Sequence, residues 1–259
     1  MKKVLFLLVI SFSLGFLNAS SLYEKLINKE TISVGTEGIY PPFTYHNKEG
    51  KLTGYDVEVA RELAKELGVK IKFHETSWDI MLTGLKSGRF DMVANQVSLT
   101  TKKRQATFDK SLPYSYSGTI MLVRKDENRI KDIKDIKDIK GLRAANTLSS
   151  TYGEIAFKYD AQIVSVDSMA QALLLVAQKR ADLTLNSSLA ILNYLNTHKN
   201  NPFKIAWESK EKDGGASFVI NKHQEKALEL INQAVQRLID KGVLKRLGEQ
   251  FFGKDVSQP

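Results

Sequence analysis

An α/β fold with mostly parallel sheets and helices on both faces is predicted by three features of the sequence. Short β-branched or apolar runs alternate with segments of helical periodicity along most of the chain. Small polar or glycine residues sit at the joints between them. The 259 residues are 42% hydrophobic and contain no cysteine, so a core has to form by packing alone, which a chain of this length can do.

The chain begins Met1-Lys2-Lys3, followed by an apolar stretch from Val4 to Leu17 and then Asn18-Ala19-Ser20-Ser21. A short positive start, an apolar stretch too short to span a bilayer and small residues after it describe a secretory signal peptide over 1–20. No later run is long and apolar enough for a membrane span, and no cysteine is available for a lipid anchor. The mature protein is therefore expected to be soluble and exported to a periplasm.

Beyond the leader, Thr31–Thr36 reads as a buried strand. Ala60, Leu63, Ala64 and Leu67 stand at i, i+3, i+4 and i+7, one face of a helix that Gly68 stops. Residues 69–73 make the next strand. Ser77 is placed to cap a helix from Trp78 to about Gly88. A further strand is expected at 90–94, and the alternation continues through 142–146, 151–159, 162–166, 168–180, 182–186 and 188–196. Ser168 and Gln171 suggest a capping box. Two helices, about 223–240 and 243–251 with Gly242 between them, close the chain. The run 131–140 interrupts the pattern with three Lys-Asp-Ile repeats. It is expected to be a short helical connector near the middle of the chain, with no binding role, in material that joins two lobes.

Composition excludes several functions. Without cysteine there is no disulfide framework, iron–sulfur site, thiolate zinc site or thiol nucleophile. The formal charge is +9, and losing Lys2 and Lys3 with the leader leaves +7. Those charges alternate in sign rather than cluster, so a solvated basic surface is expected and nucleic acid is not an expected partner. His46, His74, His198 and His223 do not pair at helical spacing, so neither a metal nor a cofactor is expected. No phosphate loop, dinucleotide turn or nucleophile elbow is present, and no carboxylate pair is marked out as acid and base.

What remains is a set of polar and aromatic residues just beyond strand ends, where open α/β sheets hold their ligands. Glu37 and Tyr40 follow the first strand, and Trp78 opens a helix. Asn95, Gln96 and Ser98 follow the third strand, with Arg104 beyond. Ser149, Ser150 and Thr151 stand at a helix start, and Asn186 and Ser187 end another strand. A guanidinium grips a carboxylate bidentately, and free N–H groups at a helix start add donors. Glu37 suits an ammonium, and Tyr40 and Trp78 suit an aliphatic or sulfur-containing side chain. Each also has a purely structural alternative: the aromatics as core, the serines as a cap, Arg104 in Thr101-Lys-Lys-Arg-Gln-Ala106 as a solvated face.

Over essentially the whole mature chain the sequence resembles the periplasmic polar amino-acid-binding proteins of ABC importers, solute-binding protein family 3. The resemblance rests on the order of several stretches: Val34-Gly-Thr-Glu-Gly-Ile-Tyr-Pro-Pro-Phe43, Gly54-Tyr-Asp-Val-Glu-Val-Ala60, Trp78-Asp79 with Leu82-Thr-Gly-Leu85, Arg89-Phe-Asp-Met-Val-Ala-Asn-Gln96, Arg104-Gln-Ala-Thr-Phe-Asp-Lys-Ser-Leu-Pro-Tyr114 and Gly248-Glu-Gln-Phe-Phe-Gly-Lys-Asp-Val256. It implies a two-lobed periplasmic-binding-protein fold of type II. Lobe one would be 22–113 plus 215–259 and lobe two 119–209, with hinges at 114–118 and 210–214. It implies a monomeric, non-catalytic receptor that closes on its ligand and presents it to a membrane permease served by a separate ATPase subunit.

By position, Arg104 matches the family arginine for the ligand α-carboxylate, Ser98 a contact to the same group and Thr151 the lobe-two N–H donors. Tyr40 and Trp78 match the aromatic walls, and Glu37 a side-chain reader. Two departures stand out. Ser98 and Arg104 are one residue further apart than in many members. Where most members place an aspartate for the α-ammonium, this chain has Ser187, so that anchor is weaker, water-mediated or supplied elsewhere, with Glu37 the acid at hand. Within the family the sequence is most similar to the cystine/cysteine-binding branch, through Ala94-Asn-Gln-Val97, Gln178-Lys-Arg-Ala-Asp182, Thr184-Leu-Asn-Ser187 and Leu189-Ala-Ile-Leu-Asn-Tyr194. That implies L-cystine or L-cysteine as ligand. The alternatives are lysine, arginine or glutamine, or a periplasmic dehydratase on the same scaffold.

Overall fold

The computed structural model describes residues 20–130 and 135–259. The expected signal peptide falls on residues 1–19 and the first Lys-Asp-Ile unit on 131–134, both outside the described residues. Among the described residues no helix is long and apolar enough to cross a membrane.

The elements run in the order α1 (Leu22–Ile27), β1 (Thr31–Thr36), β2 (Ile39–Tyr40), β3 (Thr44–His46), β4 (Leu52–Thr53), α2 (Tyr55–Leu67), β5 (Lys70–Glu75), α3 (Trp78–Lys86), β6 (Met92–Val93), α4 (Lys102–Thr107), β7 (Phe108–Ser115), β8 (Thr119–Arg124), β9 (Arg143–Asn146), α5 (Thr151–Lys158), β10 (Gln162–Ser165), α6 (Met169–Ala177), β11 (Leu183–Ser187), α7 (Ser188–Thr197), β12 (Phe203–Glu208), β13 (Ala216–Asn221), α8 (Glu225–Asp240) and α9 (Val243–Phe252). They build two five-stranded sheets, β5-β1-β6-β13-β7 and β10-β9-β11-β8-β12, and a small sheet β2-β3-β4. The chain passes from the first large sheet to the second between β7 and β8 and returns between β12 and β13.

The sheets are mixed rather than mostly parallel. β1 pairs in parallel with β5 and β6, and β9 with β10 and β11, whereas β13 and β8 run antiparallel to their neighbours. The crossings are the reason. β8 and β13 enter their sheets from the crossing segments, at the end where the parallel strands stop, so they run the opposite way.

Most expected elements form within a few residues of their predicted bounds. Gly68 ends α2 in the left-handed conformation at φ 68°, which a residue without Cβ adopts at low cost. α8 and α9 bury their apolar stripes in one core with Leu63 of α2, Phe43 and Phe218. Other local readings are corrected. Ser77 occupies the cap position of α3 but makes no capping hydrogen bond. Ser168 caps α6 by accepting from Gln171 N at 3.3 Å, yet the Gln171 side chain accepts from Asp167 N, so the box is only half made. The Lys-Asp-Ile segment lies between β8 and β9 within the second lobe and joins no lobes. Ile136–Ile139 form a 3₁₀ turn capped by Asp135, and Ile130, Ile136 and Ile139 pack with Met121, Val123 and Ala144.

Candidate functional site

A cavity of about 380 Å³ lies between the two sheets, of the size that takes a small metabolite. Its walls are built where β1, β6, β9 and β11 end, which brings most of the predicted residues together. Glu37, Tyr40, Trp78, Asn95, Gln96, Ser98, Ser150, Thr151 and Asn186 all line it. Arg104, Ser149 and Ser187 do not.

The β1 corner is tied by buried side-chain hydrogen bonds. Asn95 is buried, accepts the Glu37 backbone N–H at 2.8 Å and donates its amide to the Glu37 carboxylate at 2.6 Å. Burial pushes the Glu37 carboxyl up to about 7, the Asn95 bond draws it down, and Asp79 adds to the rise. Gln96 sits at φ +51°, a conformation costly for a residue with a Cβ. It is held there by Asp56 from the first turn of α2, which accepts from Gln96 N at 2.6 Å and from its side-chain amide at 2.7 Å. Asp56 is fully buried, which pushes its carboxyl up to about 7 against the pull of those two bonds.

The aromatics serve core and cavity together. Tyr40 packs on Phe43 with ring centroids 5.1 Å apart, and Trp78 packs against Met81, Leu85 and Phe90. Ser150 is both wall and cap: its hydroxyl accepts from Gly153 N at 3.0 Å at the head of α5.

Three contacts close the seam between the lobes. Tyr40 donates its hydroxyl to Asn186 Oδ1 at 2.6 Å. Ser149 donates its N–H to Asp79 at 3.1 Å and its hydroxyl to the same oxygen. Arg104, 6% exposed rather than on a solvated face, donates to Ser98 O at 3.3 Å on its own lobe. Across the seam it reaches Thr151 Oγ1 at 3.1 Å, the Ser149 carbonyl and the Glu154 carboxylate at 3.2 Å. Arg104 therefore adjoins the cavity through Ser98 and Thr151, with Glu154 occupying the place of a carboxylate partner. Glu154→Gln, which frees the guanidinium from this competitor, is expected to tighten binding of a carboxylate-bearing ligand by about three- to tenfold. Equal or weaker affinity in calorimetry would show that Glu154 supports binding instead. Ser187 stands behind the wall, its hydroxyl 2.6 Å from that of Ser117 in the first crossing segment and in contact with the hydroxyl of Tyr152.

Several wall residues escaped the sequence reading: Thr119, Asn146, Tyr152, Lys158, Met169 and Asp213. Tyr152 immediately follows a predicted helix start, which was signal enough. Asp213 precedes Gly214-Gly215 and reads as an ordinary turn. No cluster of residues able to hold a metal exists among the described residues.

Comparison with known proteins defines the class. The model of the bacterial extracellular solute-binding proteins, family 3, matches residues 32–254, and the chain belongs to this family. It is 41% identical to the L-cystine-binding protein TcyA of Bacillus subtilis, over 92% of this chain and 87% of that protein. Among solved structures, the L-cystine solute receptor of Neisseria gonorrhoeae in its unliganded open conformation is 53% identical, covers 93% of this chain and all of its own, and superposes with a TM-score of 0.63. An ancestral arginine-binding protein bound to arginine is only 29% identical, over 86% of this chain and 98% of its own, yet reaches 0.77.

Proposed function

We propose that the chain is an extracytoplasmic receptor that binds L-cystine, or L-cysteine, between its lobes and delivers it to the permease of an ABC importer without transforming it. In this reading residues 1–20 direct export to the periplasm, and the chain flexes at 114–118 and 210–214. Lobe one comprises 22–113 and 215–259, and lobe two 119–209. Arg104 receives the α-carboxylate with Ser98 and the N–H groups near Ser149, Ser150 and Thr151. Tyr40 and Trp78 flank the side chain, while Glu37, Asn95, Gln96 and Asn186 complete the polar wall.

The observation that carries the reading is the cavity: acids, an adjoining arginine, amides and hydroxyls converge between two lobes at strand ends. Such walls suit a small molecule bearing both charges, and the likeness to two L-cystine-binding proteins supports the choice of ligand. The likeness to an arginine-bound structure favours a different amino acid. Titration calorimetry of the mature chain against L-cystine, L-cysteine, arginine, lysine and glutamine tests it. Silence towards all of them ends the receptor reading, and a preference for arginine moves the ligand. Turnover of prephenate or arogenate would make the protein an enzyme.

The Glu37 carboxyl sets an expected pH dependence. An ammonium partner favours the ionised acid, so binding expels a proton wherever the free carboxyl is still protonated. Affinity therefore rises with pH up to about 7. Between pH 5 and pH 7 the gain is expected to be about tenfold or more, and Glu37→Gln should abolish it. A flat profile in the unaltered protein would remove Glu37 from contact with the amine.

A further inference from the structure

Ser187 leaves the ligand amine without its expected aspartate, but a carboxylate enters the cavity from elsewhere. Asp213 lies in the second crossing segment and lines the wall beside Gly214. Its backbone is fixed against the first crossing segment, with Asp213 N donating to Ser117 O at 2.7 Å. Its Oδ1 accepts the N–H groups of Ser117 at 3.4 Å and Gly215 at 3.0 Å. Among the described residues it forms no ion pair. Burial and the Asp213 charge push up the hydroxyls of Tyr40 and Tyr152, both also cavity wall, and Lys110 is the cation that acts on Asp213 from outside the wall. A half-buried carboxylate in this wall, with its second oxygen uncommitted, offers the opposite charge that an ammonium seeks.

We propose that Asp213 receives a ligand ammonium group in place of the aspartate missing at Ser187, and that with Glu37 it gives the cavity two ammonium seats, the complement of a diamino diacid such as L-cystine. The inference rests on the cavity being an amino-acid site. It accounts for two acids of the wall, Glu37 and Asp213, that form no ion pair among the described residues.

The test is calorimetry of the unaltered protein, Asp213→Asn and Glu37→Gln with L-cystine and with 3,3′-dithiodipropionate, which keeps the disulfide and both carboxylates but has no amino group. Thermal melts check that each variant folds, and asparagine preserves the acceptor for Ser117 and Gly215. Asp213→Asn should weaken L-cystine thirtyfold or more while changing the des-amino compound by less than threefold. Equal losses for both compounds, or a loss below threefold for L-cystine, would overturn the assignment. Where the unaltered protein holds the des-amino compound too weakly to measure, the L-cystine result alone decides. An unaltered protein that ignores L-cystine but holds another amino acid disproves the ligand, not the role of Asp213, which is then judged on that amino acid and its des-amino form. No binding of any amino acid overturns both.

Discussion

Arg104→Ala weakens the amino-acid ligand by tens- to several-hundred-fold, about 2–4 kcal/mol, the cost of losing charge-assisted bonds in a desolvated place. The position supports a large value. The side chain is buried, and its two terminal nitrogens already span Ser98 O, Thr151 Oγ1, the Ser149 carbonyl and Glu154. A ligand carboxylate presents the same acceptor as Glu154 and can displace it without moving the guanidinium. Arg104→Lys keeps the charge but loses the planar fork, so most of the loss should remain. Because Arg104 also ties the lobes together, the alanine variant affects closure as well as contact. Cystamine, which lacks both carboxylates, separates the two effects. A loss confined to L-cystine identifies a carboxylate clamp, and equal losses identify a seam contact only.

Gly54→Ala lowers stability by about 3 kcal/mol, and the melting temperature by about 10 °C. Gly54 sits at φ +121°, and a Cβ there would fall 2.3 Å from Phe43 O and 2.8 Å from Thr44 N. Neither is a side-chain tip that can swing aside. The same junction seats the start of α2, where Tyr55 N donates to Pro42 O and Asp56 N to Phe43 O. Displacing it moves Asp56 away from Gln96, so the variant should also lose ligand affinity. Gly214→Ala is the control: its Cβ would meet nothing within 4 Å and its φ is not in the left-handed region. A melting temperature for Gly54→Ala within about 2 °C of the unaltered protein would show that the loop gives way freely.

The alternation of elements was legible because both sheets place their parallel strands between amphipathic helices, so the period changes cleanly along the sequence. The antiparallel strands were harder to read. Thr119-Ile-Met-Leu-Val-Arg124 is an apolar run of strand length that the alternation passed over, since no helix separates β8 from β7. β7 carries Lys110 and Pro113, residues a sheet tolerates at its edge, where this strand lies. The cavity wall was legible beyond β1 and β6, where Glu37, Asn95 and Gln96 follow the strands, but not at the end of β9, where Asn146 was passed over. Helix starts gave Trp78, Ser150 and Thr151 as well, whereas the crossing segments gave nothing. Asp213 comes from a crossing segment whose place depends on the whole topology. The place of Ser187 behind the wall depends on a hydroxyl pair with Ser117, 70 positions away in sequence.

The seam contacts of Tyr40 with Asn186 and of Asp79 with Ser149 are made between groups of the chain itself. A receptor fastened by its own side chains can visit the shut shape while empty, so any membrane partner that senses shape meets a background of unloaded copies. Discrimination then depends only on how much more firmly the loaded form is fastened. Tyr40→Phe, which removes a fastener while sparing the ring, would weaken uptake of scarce nutrient yet sharpen the contrast between full and vacant carriers.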